Sequence, residues 1–210
     1  MTTRVLCIRH GETAWNASGR WQGHAPVPLS DRGKAQAAAL ARYLAANGAH
    51  LDAIYSSDLR RAMQTARPIG TALGVAIRPD ARLREVDLGE WQGLTRAEAE
   101  AWDAERYAAF QADWYNVPPP RGESRGELKA RIRAAFDDLA ARHAGQTIAI
   151  VSHGGTLGML IESLFGHIER PTLTNTSITT AEQDTPSQPW RLVNVAWAPH
   201  IEGAALGETW

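Results

Sequence analysis

The chain has 210 residues, with 22 basic and 23 acidic side chains for a net charge of −1 and a single cysteine. That balance argues against a nucleic-acid or membrane surface, so any attraction for an anion must be local. Cys7, alone and inside an apolar run, excludes a disulfide framework and reads as a small buried residue in a reducing compartment. No charged-then-apolar leader precedes Val5 and no apolar run approaches spanning length, so the expected location is cytoplasmic.

In chain order, Arg4–Ile8 reads as a buried strand that delivers Arg9-His10-Gly11-Glu12-Thr13 at its end. Ligands of open α/β sheets gather at the carboxyl ends of strands. An arginine beside a histidine there suggests phosphate chemistry, since Arg offers a planar fork to phosphate oxygens and His a neutral nucleophile. Ser30 to Ala46 is alanine-rich, with Leu40, Tyr43 and Leu44 at helical spacing, and Asn47-Gly48 stops it. Ala53–Tyr55 is a second strand, followed by Ser56-Ser57-Asp58 as cap residues for a helix. Arg60 and Arg61 fall in the first turn of that helix, where the dipole disfavours cations unless an anion sits nearby.

Leu83 to Gly93 carries Glu85, Asp87 and Glu90, which by chemistry alone are equal candidates for a general acid. Thr95 to Trp114 reads as helical, its aromatic stripe (Trp102, Tyr107, Phe110, Trp114) as core packing, with Trp15 and Trp21 as better rim candidates. Pro118-Pro119-Pro120 is a stiff loop and Arg121 a solvated loop residue. Ser124 with Glu127 forms a capping box for a helix running to about Arg142. Thr147–Val151 is a strand ending in Ser152-His153-Gly154-Gly155, followed by a helix from Thr156 to Phe165; Ser177–Ala181 and Arg191–Trp197 are further strands.

This alternation predicts an α/β fold: a single domain over residues 1–203, its mostly parallel sheet sandwiched by helices, with residues 204–210 as a loosely ordered tail. The first and third strands share one design: buried strand, polar residue, His, Gly. If they are parallel neighbours, His10 and His153 face each other across one crevice. The glycines would let backbone approach an anion, and the helix beginning near Gly155 would aim its N–H groups at it. His24 lies on a site-side loop, whereas His50, His143, His167 and His200 lack metal-ligand spacing and read as surface or structural.

Seven ordered blocks carry a resemblance. Arg9 to Asn16 reads Arg-His-Gly-Glu-Thr-x-x-Asn, followed by Gln22-Gly23 and Pro28-Leu29-Ser30. Then come Ser57-x-Leu59-x-Arg61-Ala62-x-x-Thr65-Ala66, Leu83-x-Glu85, Gly122-Glu123-Ser124 and Ser152-His153-Gly154. The set resembles the histidine phosphatase superfamily in its phosphoglycerate-mutase-like branch, from Val5 to about Phe165. The resemblance implies that His10 becomes phosphohistidine, that Arg9, Arg61 and His153 bind the transferring phosphoryl group, and that Glu85 donates the proton. It places Thr13, Asn16, Gln22, Gly23, Ser152 and Gly154 around the substrate.

The implied activity is a phosphatase hydrolysing small phosphate monoesters through a phosphohistidine intermediate, with no cofactor and no metal. The alternative is a phosphoglycerate mutase moving the phosphoryl group between positions of a sugar acid. A non-catalytic phospho-ligand sensor is opposed by His10, Arg61, Glu85 and His153 occurring together, since a binder needs neither nucleophile nor acid. The expected partner is a small phosphorylated metabolite, with no nucleic acid and no membrane, and a homo-oligomer is left open. Two departures from the family pattern stand out: His24-Ala25-Pro26 where relatives often carry an acid after Gln-Gly, and Arg121 where they often carry glycine.

Overall fold

The β-branched and apolar runs become the strands of one six-stranded sheet in the computed structural model, which describes residues 1–169 and 172–201. The strands are β1 (Thr3–Arg9), β2 (Ala53–Ser56), β3 (Ile77–Pro79), β4 (Thr147–Ser152), β5 (Ile178–Gln183) and β6 (Arg191–Trp197), in the order β3-β2-β4-β1-β5-β6. The β3-β2-β4-β1 portion is parallel, whereas β5 and β6 run antiparallel at one side. The α-helices are α1 (Ala14–Ala17), α2 (Asp31–Ala46), α3 (Arg60–Leu73), α4 (Arg96–Trp102), α5 (Ala104–Ala112), α6 (Arg125–Arg142) and α7 (Gly154–Phe165). The expected tail, 204–210, lies outside the described residues.

Successive side chains of a strand point to opposite faces, and the central strands are apolar on both. Val5, Cys7, Ile148 and Ile150 join Leu128, Ile132 and Phe136 of α6 and Leu157 and Leu160 of α7 in one core layer. Ile8, Ala149 and Val151 join Leu40 and Leu44 of α2 and Ala62, Ala66 and Ile69 of α3 in the other. A strand buried on both sides belongs in the middle of a sheet covered by helices. Among the described residues, no helix is long and apolar enough to cross a membrane.

Three local expectations are corrected. The N-cap of α3 is Leu59, with no side-chain cap; Ser57 Oγ instead accepts from the Leu59 N–H, and Asp58 pairs with Arg84. The 95–114 stretch is two helices, because Asp103 ends α4 and its carboxylate accepts from the Arg106 N–H to start α5. Its aromatic stripe is split as well: Tyr107 is buried, Trp102 is exposed, and Phe110 and Trp114 face a cavity. By contrast, Ser30 caps α2, and Ser124 with Glu127 forms the capping box of α6.

Candidate active site

Parallel pairing of β1 with β4 sets the site. Arg9 lies opposite Ser152 in the register, and the His10 N–H donates to the Ser152 carbonyl at 2.9 Å, so the two histidines leave adjacent strand ends together. Their ring centroids are 5.1 Å apart with planes tilted by 58°.

His10 Nδ1 lies 2.7 Å from the Gly11 carbonyl oxygen. A carbonyl only accepts, so Nδ1 carries the proton and Nε2 keeps its lone pair. Nε2 makes no hydrogen bond among the described residues. Burial, then the charges of Arg61 and Arg9, hold the His10 pKa well below the usual histidine value. The imidazole is therefore neutral at neutral pH.

Arg61, only 1% exposed, binds protein with three of its five N–H groups. Nε donates to His153 Nδ1 at 3.2 Å, and the two terminal nitrogens donate to the Ala25 carbonyl at 3.0 Å and the Gly23 carbonyl at 2.7 Å. Accepting on Nδ1 leaves His153 with its proton on Nε2, which donates to Ser57 Oγ at 2.8 Å. Burial, then Arg61, lowers the His153 pKa well below its ordinary value. Arg9 donates to the Leu173 carbonyl, while its buried Nε has no partner. Gly154 admits this side chain, since a Cβ there would stand 3.3 Å from Arg9 Nε. Burial lowers the pKa of Arg9 and of Arg61 to about 10, and both remain cations at neutral pH.

Among the three carboxylates, Glu85 lines the cavity that holds His10. Asp87 lies 3.7 Å from His24 and accepts from the Gly89 N–H, while Glu90 pairs with exposed Arg121. Glu85 is bound by the start of α7, accepting from the Gly155 N–H at 3.0 Å, the Thr156 N–H at 2.9 Å and Thr156 Oγ1 at 2.9 Å. This corrects the expected role of that helix start: these orphan N–H groups are taken by Glu85, not held open for an incoming anion. Burial opposes ionisation of Glu85, but Arg125, the N–H groups of Val86 and Gly155, and Arg61 outweigh it and hold the carboxyl below its usual range.

The backbone around Glu85 is secured from every side. Ser152 Oγ donates to the Leu83 carbonyl at 2.8 Å, Thr156 Oγ1, sharing its one proton, also lies 2.9 Å from the Arg84 carbonyl, and His24 Nε2 lies 2.8 Å from the Glu85 carbonyl. Arg131 donates to the carbonyls of Arg82, Arg84 and Glu85 while pairing with Glu123.

Not every residue expected at the substrate reaches the cavity. His10, Arg9, Arg61, Glu85, Asn16, Gln22 and Gly154 line it. Thr13 caps α1 and donates to Asn16 Oδ1, Ser152 supports the Glu85 segment, Gly23 offers its carbonyl to Arg61, and His153 lies one layer behind, between Arg61 and Ser57. Gln22 is buried with Oε1 unpartnered. His167, read as surface or structural, is exposed and also lines the cavity. Two functional residues are not visible to sequence reasoning: Ser57, which in sequence reads as a cap, and Arg125, at the first position of α6 after the capping box. The cavity measures about 1370 Å³, and Trp21, Leu88, Phe110, Trp114, Met159 and Ile168 form its apolar wall. Among the described residues, no group of three or more His, Cys, Asp or Glu side chains is placed to hold a metal.

Two histidines at adjacent parallel strand ends, with two buried arginines and a carboxylate, define an α/β protein built to handle phosphoryl groups. The family model described as histidine phosphatase superfamily (branch 1) matches residues 5–196. The chain belongs to that superfamily. It is 35% identical over 217 residues to "Probable phosphoglycerate mutase GpmB" of Yersinia enterocolitica, covering 98% of each chain. It is 37% identical over 171 residues to a glucosyl-3-phosphoglycerate phosphatase of Mycobacterium tuberculosis, covering 77% of this chain and 74% of that one. A solved mycobacterial glucosyl-3-phosphoglycerate phosphatase in complex with VO3 superposes with TM-score 0.78 at 34% identity, over 91% of this chain and 98% of the other.

Proposed function

We propose that this protein is a phosphatase that hydrolyses a small phosphorylated metabolite through a phosphohistidine on His10, without metal or cofactor, in the cytoplasm. The observation that carries the reading is the neutral His10, its Nε2 unengaged, between Arg9 and Arg61 at a cavity wall that also bears Glu85.

His10 Nε2 attacks phosphorus, a P–N bond forms and the P–O bond to the alcohol breaks. The equatorial oxygens gather charge opposite Arg61, with two unused N–H groups, and Arg9, whose orphaned buried Nε gains a partner. His153 holds Arg61 in place through Nδ1. Glu85 gives a proton to the departing oxygen, then takes one from the water that cleaves the P–N bond. In the free site Glu85 is a carboxylate, so its proton must arrive with the ester or from solvent as the phosphate charge offsets the surrounding arginines.

Phosphate release from a panel of metabolite phosphates in EDTA, with rapid-quench trapping of phosphoprotein, tests the reading. The wild type is expected to release phosphate and label once; His10→Ala is expected to do neither while keeping its circular dichroism. Turnover by His10→Ala would remove the covalent route. Likeness to GpmB along nearly the whole chain supports the mutase alternative. A coupled assay for isomerisation of 3-phosphoglycerate, primed with the 2,3-bisphosphate, separates the two: isomerisation outrunning phosphate release would make the protein a mutase.

A further inference from the structure

Two arginines that make no contact with the transferring phosphoryl group in this mechanism line the cavity, Arg96, which is exposed on α4, and Arg125, which neighbours Glu85. Arg125, the first residue of α6, is half-buried and lines the same cavity as His10 and Glu85. Its guanidinium makes no hydrogen bond and no ion pair among the described residues; it rests over the Trp114 ring, 5.7 Å from the centroid. Arg61 is committed to three protein acceptors and Arg131 to Glu123 and the Glu85 segment, while Arg9, with its unpartnered Nε, is assigned to the transferring phosphoryl group.

Room for Arg125 is built into the backbone. A Cβ at Gly155 would stand 2.8 Å from its Nη1 and 2.7 Å from Glu85 Oε1, so glycine there lets the guanidinium and the carboxylate share one corner of the cavity. An arginine held over an aromatic face, its N–H groups bound to no protein acceptor, can receive a carboxylate or phosphate in two parallel hydrogen bonds. The apolar wall beside it, Trp21, Phe110 and Trp114, gives the rest of a ligand something to lie on.

We propose that Arg125 binds a second anionic group of the substrate, a carboxylate or a further phosphate on the alcohol portion of the ester, and so selects doubly anionic phosphate esters over singly anionic ones. This rests on the phosphatase reading and names its substrate class. Glu85 alone would repel such a group; Arg125 offsets the carboxylate's charge and offers donors to an incoming anion.

Matched pairs test it. Glycerol 3-phosphate and 3-phosphoglycerate differ by an alcohol against a carboxylate; fructose 6-phosphate and fructose 1,6-bisphosphate differ by the second phosphate. The readout is the ratio of kcat/KM within each pair, for the wild type, Arg125→Gln and Arg125→Lys. Any effect of the arginine on Glu85 acts on both members and cancels in the ratio. The wild type is expected to favour the doubly anionic member of at least one pair. Arg125→Gln should cut that preference about 10- to 100-fold, the worth of a charge-assisted pair, and Arg125→Lys should restore part of it. The pair that responds identifies the second group.

Calorimetric binding of the same pairs to the His10→Ala protein reads the subsite without turnover. A preference that is absent, or unchanged in Arg125→Gln, overturns the assignment. Intact binding preference in a protein that releases no phosphate from any ester overturns the phosphatase reading instead and leaves Arg125 assigned.

Discussion

At the scale of single residues, the site separates groups that do chemistry from groups that hold them. Glu85 is the sharpest case, because its surroundings favour the carboxylate while the proposed chemistry needs the acid. The proton matters only when the leaving oxygen is basic. Glu85→Gln is therefore expected to slow an alkyl phosphate by about 100-fold or more, within the usual range for general acid catalysis, and p-nitrophenyl phosphate far less. Steady-state rates on the two substrates decide; equal losses would move the proton donor elsewhere. Gly155→Ala makes a complementary test. The gain in helix propensity of about 1 kcal/mol for alanine over glycine offsets part of what is lost as Glu85 moves off the α7 N–H groups, so the variant should remain folded by thermal unfolding. The new methyl must displace Glu85 and Arg125, and a shift of about an ångström at such a position typically costs on the order of 100-fold in rate. A wild-type rate in Gly155→Ala would mean that this corner plays no part in turnover.

At the scale of elements, the start of α7 shows where sequence reasoning reached and where it stopped. Ile148 to Val151 followed by His153 and two glycines was legible as a strand feeding a helix, because β-branched runs and glycine turns are local signals. That the first N–H groups of this helix would be claimed by a carboxylate 70 and 71 residues earlier in the chain was not legible, since any anion satisfies a helix start equally well. Ser57 and Arg125 escaped for a related reason. Each sits where a local role, cap or helix opening, already accounts for it, and its partners arrive only through the tertiary fold. Strand β3 was missed because it is three residues long, half open to solvent and ends in proline, leaving no apolar alternation to read. The motif residues were legible as a set, yet spacing alone could not divide those facing the cavity from Thr13, Ser152 and Gly23, which brace it.

Over the whole molecule, burying ionisable groups links the site to stability. His10 and His153 have folded-state pKa values well below 6.5, so on acidification the unfolded chain takes up protons that the folded one refuses. Stability should be highest above about pH 6.5 and fall below it, by up to about 1.4 kcal/mol per pH unit for each histidine. Urea unfolding at pH 7.5 and 5.5 measures the loss. His10→Ala should show a smaller loss than the wild type; an identical loss would mean that His10 keeps an ordinary pKa when folded.

The parts that would perform the chemistry and the parts that would recognise the rest of the ligand come from different stretches of chain. His10, Arg61 and Glu85 are fixed by the ends of β1 and β4, the start of α3 and the start of α7, all tied to the sheet. Phe110 and Trp114 come from the α5 segment and the turn beyond it, whose burial is confined to a small satellite cluster around Trp91, Ala99 and Tyr107. Such a layout allows the segment between Thr95 and Val117 to be exchanged, by divergence or by grafting, without re-solving the geometry at phosphorus. One scaffold can then serve a whole set of esters, each with its own wall.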